Sequence, residues 1–449
     1  MTAFLKDWRH RPTHRRVWAL AAPMILSNIS VPLVALVDSA VIGHLPHAHQ
    51  LGAVAVGASL FSLLAWALGF LRMGATGFAA QAAGRGDGDG LRQVLAQGLL
   101  LAAGFSVLLW LLAAPFSHLA LSWMQPSAEL EDSTLAFFHV RLFALPATLG
   151  GFALVGWFLG TQNARAPFAM LLLTNALNIA LNLWFVLGLG WGVLGSAGAS
   201  VIAEWVALAL GLALARPALR AHAGQVPWQK LREWASWRPL LSVNRDIFIR
   251  SLALQAVFFM ITVQGARLGD ATVAANALLL NGLLLTAHAL DGLAHAVEAL
   301  CGHAIGARNR QALRRALVVA AGWSLLASLA FAGFFGTFGD LFIRLQTNIP
   351  SVQATAATYL PYLAVLPLIA VWSYLLDGLF IGATRAREMR DGMLASLLLA
   401  LPVAWLTRGW GNQGLWLSFL LFMAIRAMTL GGIALWLAHR DRWVGQEER

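Results

Sequence analysis

Apolar runs of about 20 residues, the length that spans the hydrocarbon core of a bilayer as a helix, recur along this chain from end to end. No other feature constrains its fold as much. Backbone in lipid must satisfy its own hydrogen bonds, so repeated long apolar runs fold as a bundle of spanning helices. The supply of charge agrees. Only 11% of the 449 residues are Asp, Glu, Lys or Arg, against about 25% in soluble domains, too few to cover a water-facing surface. An all-α integral membrane protein is expected, with no stretch composed like a soluble domain.

Twelve transmembrane helices fit best, over 17–41, 51–73, 91–115, 134–160, 167–188, 192–215, 246–268, 272–304, 314–339, 354–382, 390–407 and 412–438. The positive-inside tendency of cytoplasmic loops tests this layout. Alternate loops, with the two termini, carry 24 of the 31 Lys and Arg residues. The opposite loops carry three, Arg267, Arg344 and Arg408, and Arg72, Arg141, Arg250 and Arg426 fall inside helices. Both termini are therefore expected in the cytoplasm. The formal charge of +11 belongs to short loops between apolar runs, so no nucleic-acid partner is expected. The single cysteine, Cys301, excludes an internal disulfide and a cysteine metal cluster. The basic start has the layout of a signal peptide. Its apolar segment is too long, however, and carries Asp38, so a retained first helix is expected.

An internal repeat is visible at an offset of 222 residues. Gly156-Trp-Phe-Leu-Gly160-Thr-Gln-Asn-Ala-Arg165 parallels Gly378-Leu-Phe-Ile-Gly382-Ala-Thr-Arg-Ala-Arg387, and Ala80-Gln-Ala-Ala-Gly84-Arg-Gly-Asp87 parallels Gly302-His-Ala-Ile-Gly306-Ala-Arg-Asn309. Six helices separate the copies, so both halves start on one side of the membrane. That makes two six-helix lobes related by a parallel pseudo-two-fold axis along the membrane normal. An N-lobe over 1–215, a cytoplasmic linker over 216–245 and a C-lobe over 246–449 follow, with a substrate site expected between the lobes.

Polar groups inside apolar helices mark what such a protein does. Asp38 ends the run Pro32-Leu-Val-Ala-Leu-Val-Asp38, and a carboxylate near the bilayer centre costs roughly 2.5–3.5 kcal/mol on insertion scales. A proton- or ion-exchanging acid is one reading; a fixed ion pair with Arg72 or Arg141 is the other. Asn175, Asn178 and Asn182 fall within about 60° of one another on the fifth helix, which suits either a site shared with Asp38 or interhelical hydrogen bonding. Glu204 is a further interior acid or a partner for an arginine. On the eighth helix Asn281, His288, Asp291, His295 and Glu298 share a stripe about 100° wide. A proton relay or substrate contact, a metal site through the i,i+3 pairs, and a wet cavity wall with salt bridges to a residue such as Arg250 all fit it. Asp377 shares a face with Tyr374, as a cation-attracting cavity or a structural pair.

The sequence contains no P-loop, G-x-S-x-G, H-E-x-x-H or CxxC. A carrier, not an enzyme, is expected, without a resident metal or cofactor and driven by an ion gradient instead of ATP. A channel and a membrane-embedded enzyme are the readings set aside.

Several stretches together resemble one family. Leu20-Ala-Ala-Pro23-Met24-Ile-Leu-Ser-Asn28, Val37-Asp38-Ser39-Ala-Val-Ile-Gly43-His44-Leu45, Leu51-Gly52-Ala-Val-Ala-Val-Gly57-Ala and Leu375-Leu-Asp377-Gly-Leu-Phe-Ile-Gly382-Ala-Thr-Arg385 look like the multidrug and toxic compound extrusion (MATE) family. More narrowly they resemble its bacterial DinF-like branch. The resemblance covers essentially the whole chain. It implies a two-lobe antiporter of a bacterial inner membrane, exporting lipophilic, cationic xenobiotics in exchange for protons by alternating access, as a monomer in membrane lipid. It also implies that Asp38 takes the proton and that Asn178 and Asn182 line the same cavity. Many relatives have an aspartate where this chain has Asn182, and the seventh helix lacks an interior acid. Both departures favour protons at Asp38 over sodium. A flippase for a lipid-linked precursor, from the same superfamily, is the alternative. It should show more helices and a cluster of cavity arginines. A major-facilitator transporter shares the helix count but not the sequence of the loop Ala83–Arg92.

Overall fold

The computed structural model describes residues 2–43, 48–124 and 126–444, with side chains for all of these except 2–4, 31–40, 42, 43 and 48. Secondary structure among the described residues is helical throughout. In chain order the helices are α1 (Thr2–Trp8), α2 (Arg11–Gly43), α3 (Ala48–Ala67), α4 (Phe70–Arg85), α5 (Gly88–Met124), α6 (Ala128–Leu142), α7 (Leu145–Gly160), α8 (Arg165–Asn182), α9 (Gly192–Arg220), α10 (Trp228–Arg232), α11 (Trp234–Arg267), α12 (Asp270–Gly306), α13 (Arg310–Gln346), α14 (Pro350–Gly382), α15 (Ala386–Thr407) and α16 (Gly411–His439). A π-helical turn, Leu183–Gly188, extends α8.

Nine helical segments among the described residues are long and apolar enough to cross a bilayer. The number is ten if α6 and α7, bent by 49° at their break, form one span. One segment, Ala386–His439, has 54 residues. As a single helix it would be roughly 80 Å long at 1.5 Å per residue. It folds back instead at Arg408–Gly411, where Gly411 takes φ +61°. The hydroxyls of Ser396 and Thr429, and of Thr407 and Ser418, then meet at 2.7 Å between α15 and α16.

Packing divides the chain into two compact units. One contains Met1–Ile25 and Leu241–Arg449; the other contains Leu26–Leu240. Both boundaries fall inside helices, α2 and α11, so each of these helices contributes its first turns to one unit and its remainder to the other.

Corresponding positions of the sequence repeat have the same structure in the two units. In one unit α7 crosses α4 with Gly156 against Ala75 and Gly160 against Thr76 and Ala80; a Cβ on Gly160 would stand 2.7 Å from the Ala80 backbone nitrogen. In the other, α14 crosses α12 with Gly378 against Val297 and Gly382 against Glu298 and Gly302; a Cβ on Gly382 would stand 3.0 Å from the Gly302 nitrogen. Every one of these residues has its counterpart 222 positions away. Glycines four apart let two helix backbones approach closely, which is how packing and interhelical contact replace the hydrophobic effect in lipid. The helix ends repeat as well. Gly86 and Arg308 take φ +70° and +53°, and Gln162 and Thr384 take +60° and +56°. At each, the next residue's N–H reaches back to a carbonyl five residues earlier, from Asp87 to Ala82 and from Asn309 to Ala304 among them, at 2.9 and 2.8 Å. These are Schellman-type caps, and they stop four helices at equivalent places.

Candidate functional site

In the unit formed by Leu26–Leu240, the amides of α8 form a polar ladder of two separate hydrogen-bonded groups. Asn182 is fully buried and Asn178 nearly so. Asn182 Nδ2 donates to Asn178 Oδ1 at 3.1 Å, and Asn178 Nδ2 donates to Ser200 Oγ on α9 at 2.9 Å. Asn175 Nδ2 donates to Ser30 Oγ on α2 at 3.2 Å. One group thus ties α8 to α9, and the other ties α8 to the helix that carries Asp38. The backbone of Asp38 is helical within α2, and its side chain lies outside the described side chains.

One turn beyond Ser200 on α9 stands Glu204. It pairs with Arg141 of α6 at 2.9 Å and accepts a hydrogen bond from the Thr148 hydroxyl of α7. The Arg141 guanidinium also lies 4.0 Å from the centroid of the Phe61 ring on α3, a cation–π contact. Of the two readings the sequence left open for Glu204, the geometry realises the arginine partnership.

The unit containing Leu241–Arg449 has a different centre. Arg250 of α11 and Arg426 of α16 both donate to Oδ2 of Asp377 on α14. Arg426 is wholly buried, and Arg250 and Asp377 are exposed by only 8% and 7%. Asp377 is therefore an ion-pair centre rather than an open cation-attracting wall. Tyr374 lies one turn away, within electrostatic reach of the same pair of arginines, and Asp291 of α12 is within reach of Tyr374 and Arg426. The rest of the α12 stripe spreads along the helix. His295 and Glu298 are buried and His288 is half-buried, while Asn281 is exposed and donates to Gln346 of α13 at 3.2 Å. Glu298 stands in the close α12–α14 crossing under Gly382. No three His, Cys, Asp or Glu side chains among the described residues are grouped as metal ligands.

Sequence reasoning assigned neither arginine to Asp377, having offered Arg250 to the α12 stripe. It also missed Asp246, which is buried and accepts from Arg390 Nη1 at 2.7 Å. The signal was there in part: every arginine inside a spanning helix needs an acid, and Arg141, Arg250 and Arg426 find theirs. A cavity of about 340 Å³ also lies in this unit, within the size range of small-molecule sites, about 300–1,000 Å³. Its lining includes Met260, Leu401, Phe419 and Phe422, with Gln264 and Arg408 as polar members.

The MatE family model matches this chain twice, over residues 23–184 and 247–406, once in each copy of the repeat. The chain belongs to the MatE family. As a MatE-family protein it is a transporter of the multidrug and toxic compound extrusion type and not an enzyme. It is 44% identical to DNA damage-inducible protein F of Escherichia coli (strain K12) over 431 residues, covering 95% of this chain and 92% of the relative. It is 27% identical to a probable multidrug resistance protein NorM of Deinococcus radiodurans, covering 94% of each. Among solved structures, a MOP superfamily transporter from Pyrococcus furiosus superposes with a TM-score of 0.85 at 18% identity, covering 97% of both chains. A MATE crystal structure in complex with MaD3S superposes with a TM-score of 0.84 at 20% identity, covering 96% of this chain and 97% of that one. The two structures share the fold with this MatE-family chain.

Proposed function

We propose that this protein is a proton-driven antiporter that exports lipophilic, cationic small molecules across a bacterial inner membrane, with Asp38 as the coupling acid. Twelve spans fit this reading, with α2 counted and α15 and α16 taken separately, and both termini are cytoplasmic. Its strongest support is the partnering of two other interior acids, Asp377 and Glu204. A coupling carboxyl must change charge during each cycle without leaving a buried cation uncompensated. Protonating Asp377 would strand Arg250 and Arg426, and protonating Glu204 would strand Arg141. Removing one partner of a buried pair costs about 3–5 kcal/mol, a heavy load for a step repeated every turnover. Asp38 stands instead on the helix joined to the amide ladder through Ser30. Those amides are neutral, and an amide can donate to a carboxylate or accept from a carboxyl.

Coupling then follows from competition. One buried carboxyl holds a proton or an organic cation, and not both, so loading one releases the other. In the C-terminal unit two arginines already hold Asp377, which leaves little of the cation-holding chemistry a sodium site requires. It also leaves the lipid-linked precursor reading without a spare arginine cluster for a pyrophosphate.

Everted vesicles test the proposal through uptake of ethidium energised by a proton gradient. Native protein should accumulate the dye, indifferent to sodium, and lose it on adding a protonophore. Asp38→Asn should abolish accumulation. Accumulation that survives in Asp38→Asn would contradict the assignment.

A further inference from the structure

The 222-residue offset also relates the Asp38 helix and the α8 amides to the cavity of about 340 Å³ in the unit containing Leu241–Arg449. Asp38, Asn175, Asn178, Asn182 and Ser200 have Met260, Leu397, Ala400, Ala404 and Phe422 as their counterparts at that offset. All five counterparts line the cavity. The helices that supply them correspond as well, α11 to α2, α15 to α8 and α16 to α9. Each polar side chain of the set is matched by an apolar one. The positions that carry hydrogen-bonding groups in one unit thus form, in the other, a wall with nothing to hold water. A cavity with such a wall takes apolar ligands.

Polarity returns at one end of the cavity. Thr407 and Ser418 line it there, and their hydroxyls meet each other at 2.7 Å. Gln264 of α11 and Arg408, just past α15, line it too and make no hydrogen bond or ion pair among the described residues. Four reversals of the chain separate α11 from α15, so both helices run in one direction and these two side chains belong to the same end. The Trp405 ring lies beside the Arg408 guanidinium, 5.0 Å away at its centroid, and neutralises no charge. Along α11 the lining reaches from Leu268 back to Ala256, about 18 Å at 1.5 Å per residue. One leaflet's share of the hydrocarbon core is about 15 Å. Met260, Leu268 and Leu401 are exposed, so the cavity is open at the surface of the unit.

An apolar cavity one leaflet deep, ending at a guanidinium that meets no acid, selects its occupant by charge. Arg408 repels an organic cation, whereas a guanidinium binds phosphate through paired N–H···O bonds. The Gln264 amide adds an N–H donor at the same end. An anion that brings an apolar chain of leaflet length is a phospholipid. We propose that this cavity is a lipid site, which takes one acyl chain of an anionic phospholipid and holds its phosphate at Arg408 and Gln264. The lipid comes from the leaflet at the turn between α15 and α16. One frame then serves two chemistries, hydrogen-bonding amides beside Asp38 in one unit and a lipid chain at the matching positions of the other.

Photolabelling of the full-length protein in phosphatidylcholine nanodiscs tests this. The probes are phosphatidylglycerol and phosphatidylcholine with the same diazirine-bearing acyl chain, at low mole fraction, and mass spectrometry locates the label. Phosphatidylcholine carries its phosphate beside a cation, so it offers Arg408 no net charge. At Met260, Leu397 and Phe422 the phosphatidylglycerol probe should label roughly fivefold to tenfold more than the phosphatidylcholine probe, the scale of one hydrogen bond to a charged group. Labelling elsewhere on the chain is the reference for folding and insertion. Arg408→Gln should remove that excess and Arg408→Lys should keep part of it. Ala404→Phe, which fills the cavity from its wall, should also remove it. Asp38→Asn should change none of this, so the lipid site and the exporter reading can fail separately. Equal labelling by the two probes, or an excess that survives Arg408→Gln or Ala404→Phe, would overturn the proposal.

Discussion

Asp377 illustrates how a single residue's role depends on partners contributed by distant parts of the chain. Two guanidiniums converge on one of its oxygens, and neither can lose its charge. Asp377→Asn should therefore lower the stability of the purified protein by about 3–5 kcal/mol, the cost of leaving buried cations without their acid. Fluorescence-detected melting in detergent would read this as a large drop in midpoint. Adding Arg250→Met to that variant should recover part of the loss. Glu204→Gln should leave export sensitive to a protonophore, because its partner Arg141 holds structure and not the travelling proton. The α8 amides were legible in the sequence because their spacing alone puts them on one helix face. Arg426 was not, since nothing in a one-dimensional pattern says which of the interior acids a buried arginine meets. Asp246 was hidden for a simpler reason, as it is the first residue of the seventh expected span, next to Arg245 of the linker, where an acid reads as water-facing.

Helix ends and crossings carry the next level. The apolar runs located the spans and missed their water-side turns, because those turns are polar and a hydropathy pattern ends where lipid ends. Thus α11 starts at Trp234 and runs through Pro239, inside what reads as linker, and α5 runs past Pro115 to Met124. The sequence also hid the break between α3 and α4 at Leu68–Gly69, since both sides are equally apolar. Close crossings were legible as glycine spacing, and they make a direct prediction. Gly382→Leu puts a side chain against the Glu298 and Gly302 backbone, and should cost about 1–3 kcal/mol by overpacking, read as reduced yield of folded protein on gel filtration. Gly432→Leu, where a Cβ meets nothing within 4 Å, should express as the native chain does.

For the molecule as a whole, the 222-residue repeat was readable from two Gly/Ala-rich matches, and the helix caps and crossings reproduce it at every matched position. What no repeat conveys is asymmetry: Asp377 with two arginines in one unit, the amide ladder in the other. Under the proposed function, proton exchange would belong to the unit with the amide ladder, and its energetics follow. If a monovalent cation leaves for each proton admitted, the electrical contributions, about 2.3 kcal/mol per charge per 100 mV, cancel. Nigericin, which collapses the pH gradient, should then stop ethidium export, and valinomycin with potassium should leave it nearly unchanged. The most direct test needs no membrane potential. Purified protein in weakly buffered detergent is mixed with tetraphenylphosphonium, and the pH is followed. Displacement at Asp38 predicts proton release on binding by the native chain and by Glu204→Gln, and none by Asp38→Asn. Proton release that persists in a folded Asp38→Asn variant would contradict the account.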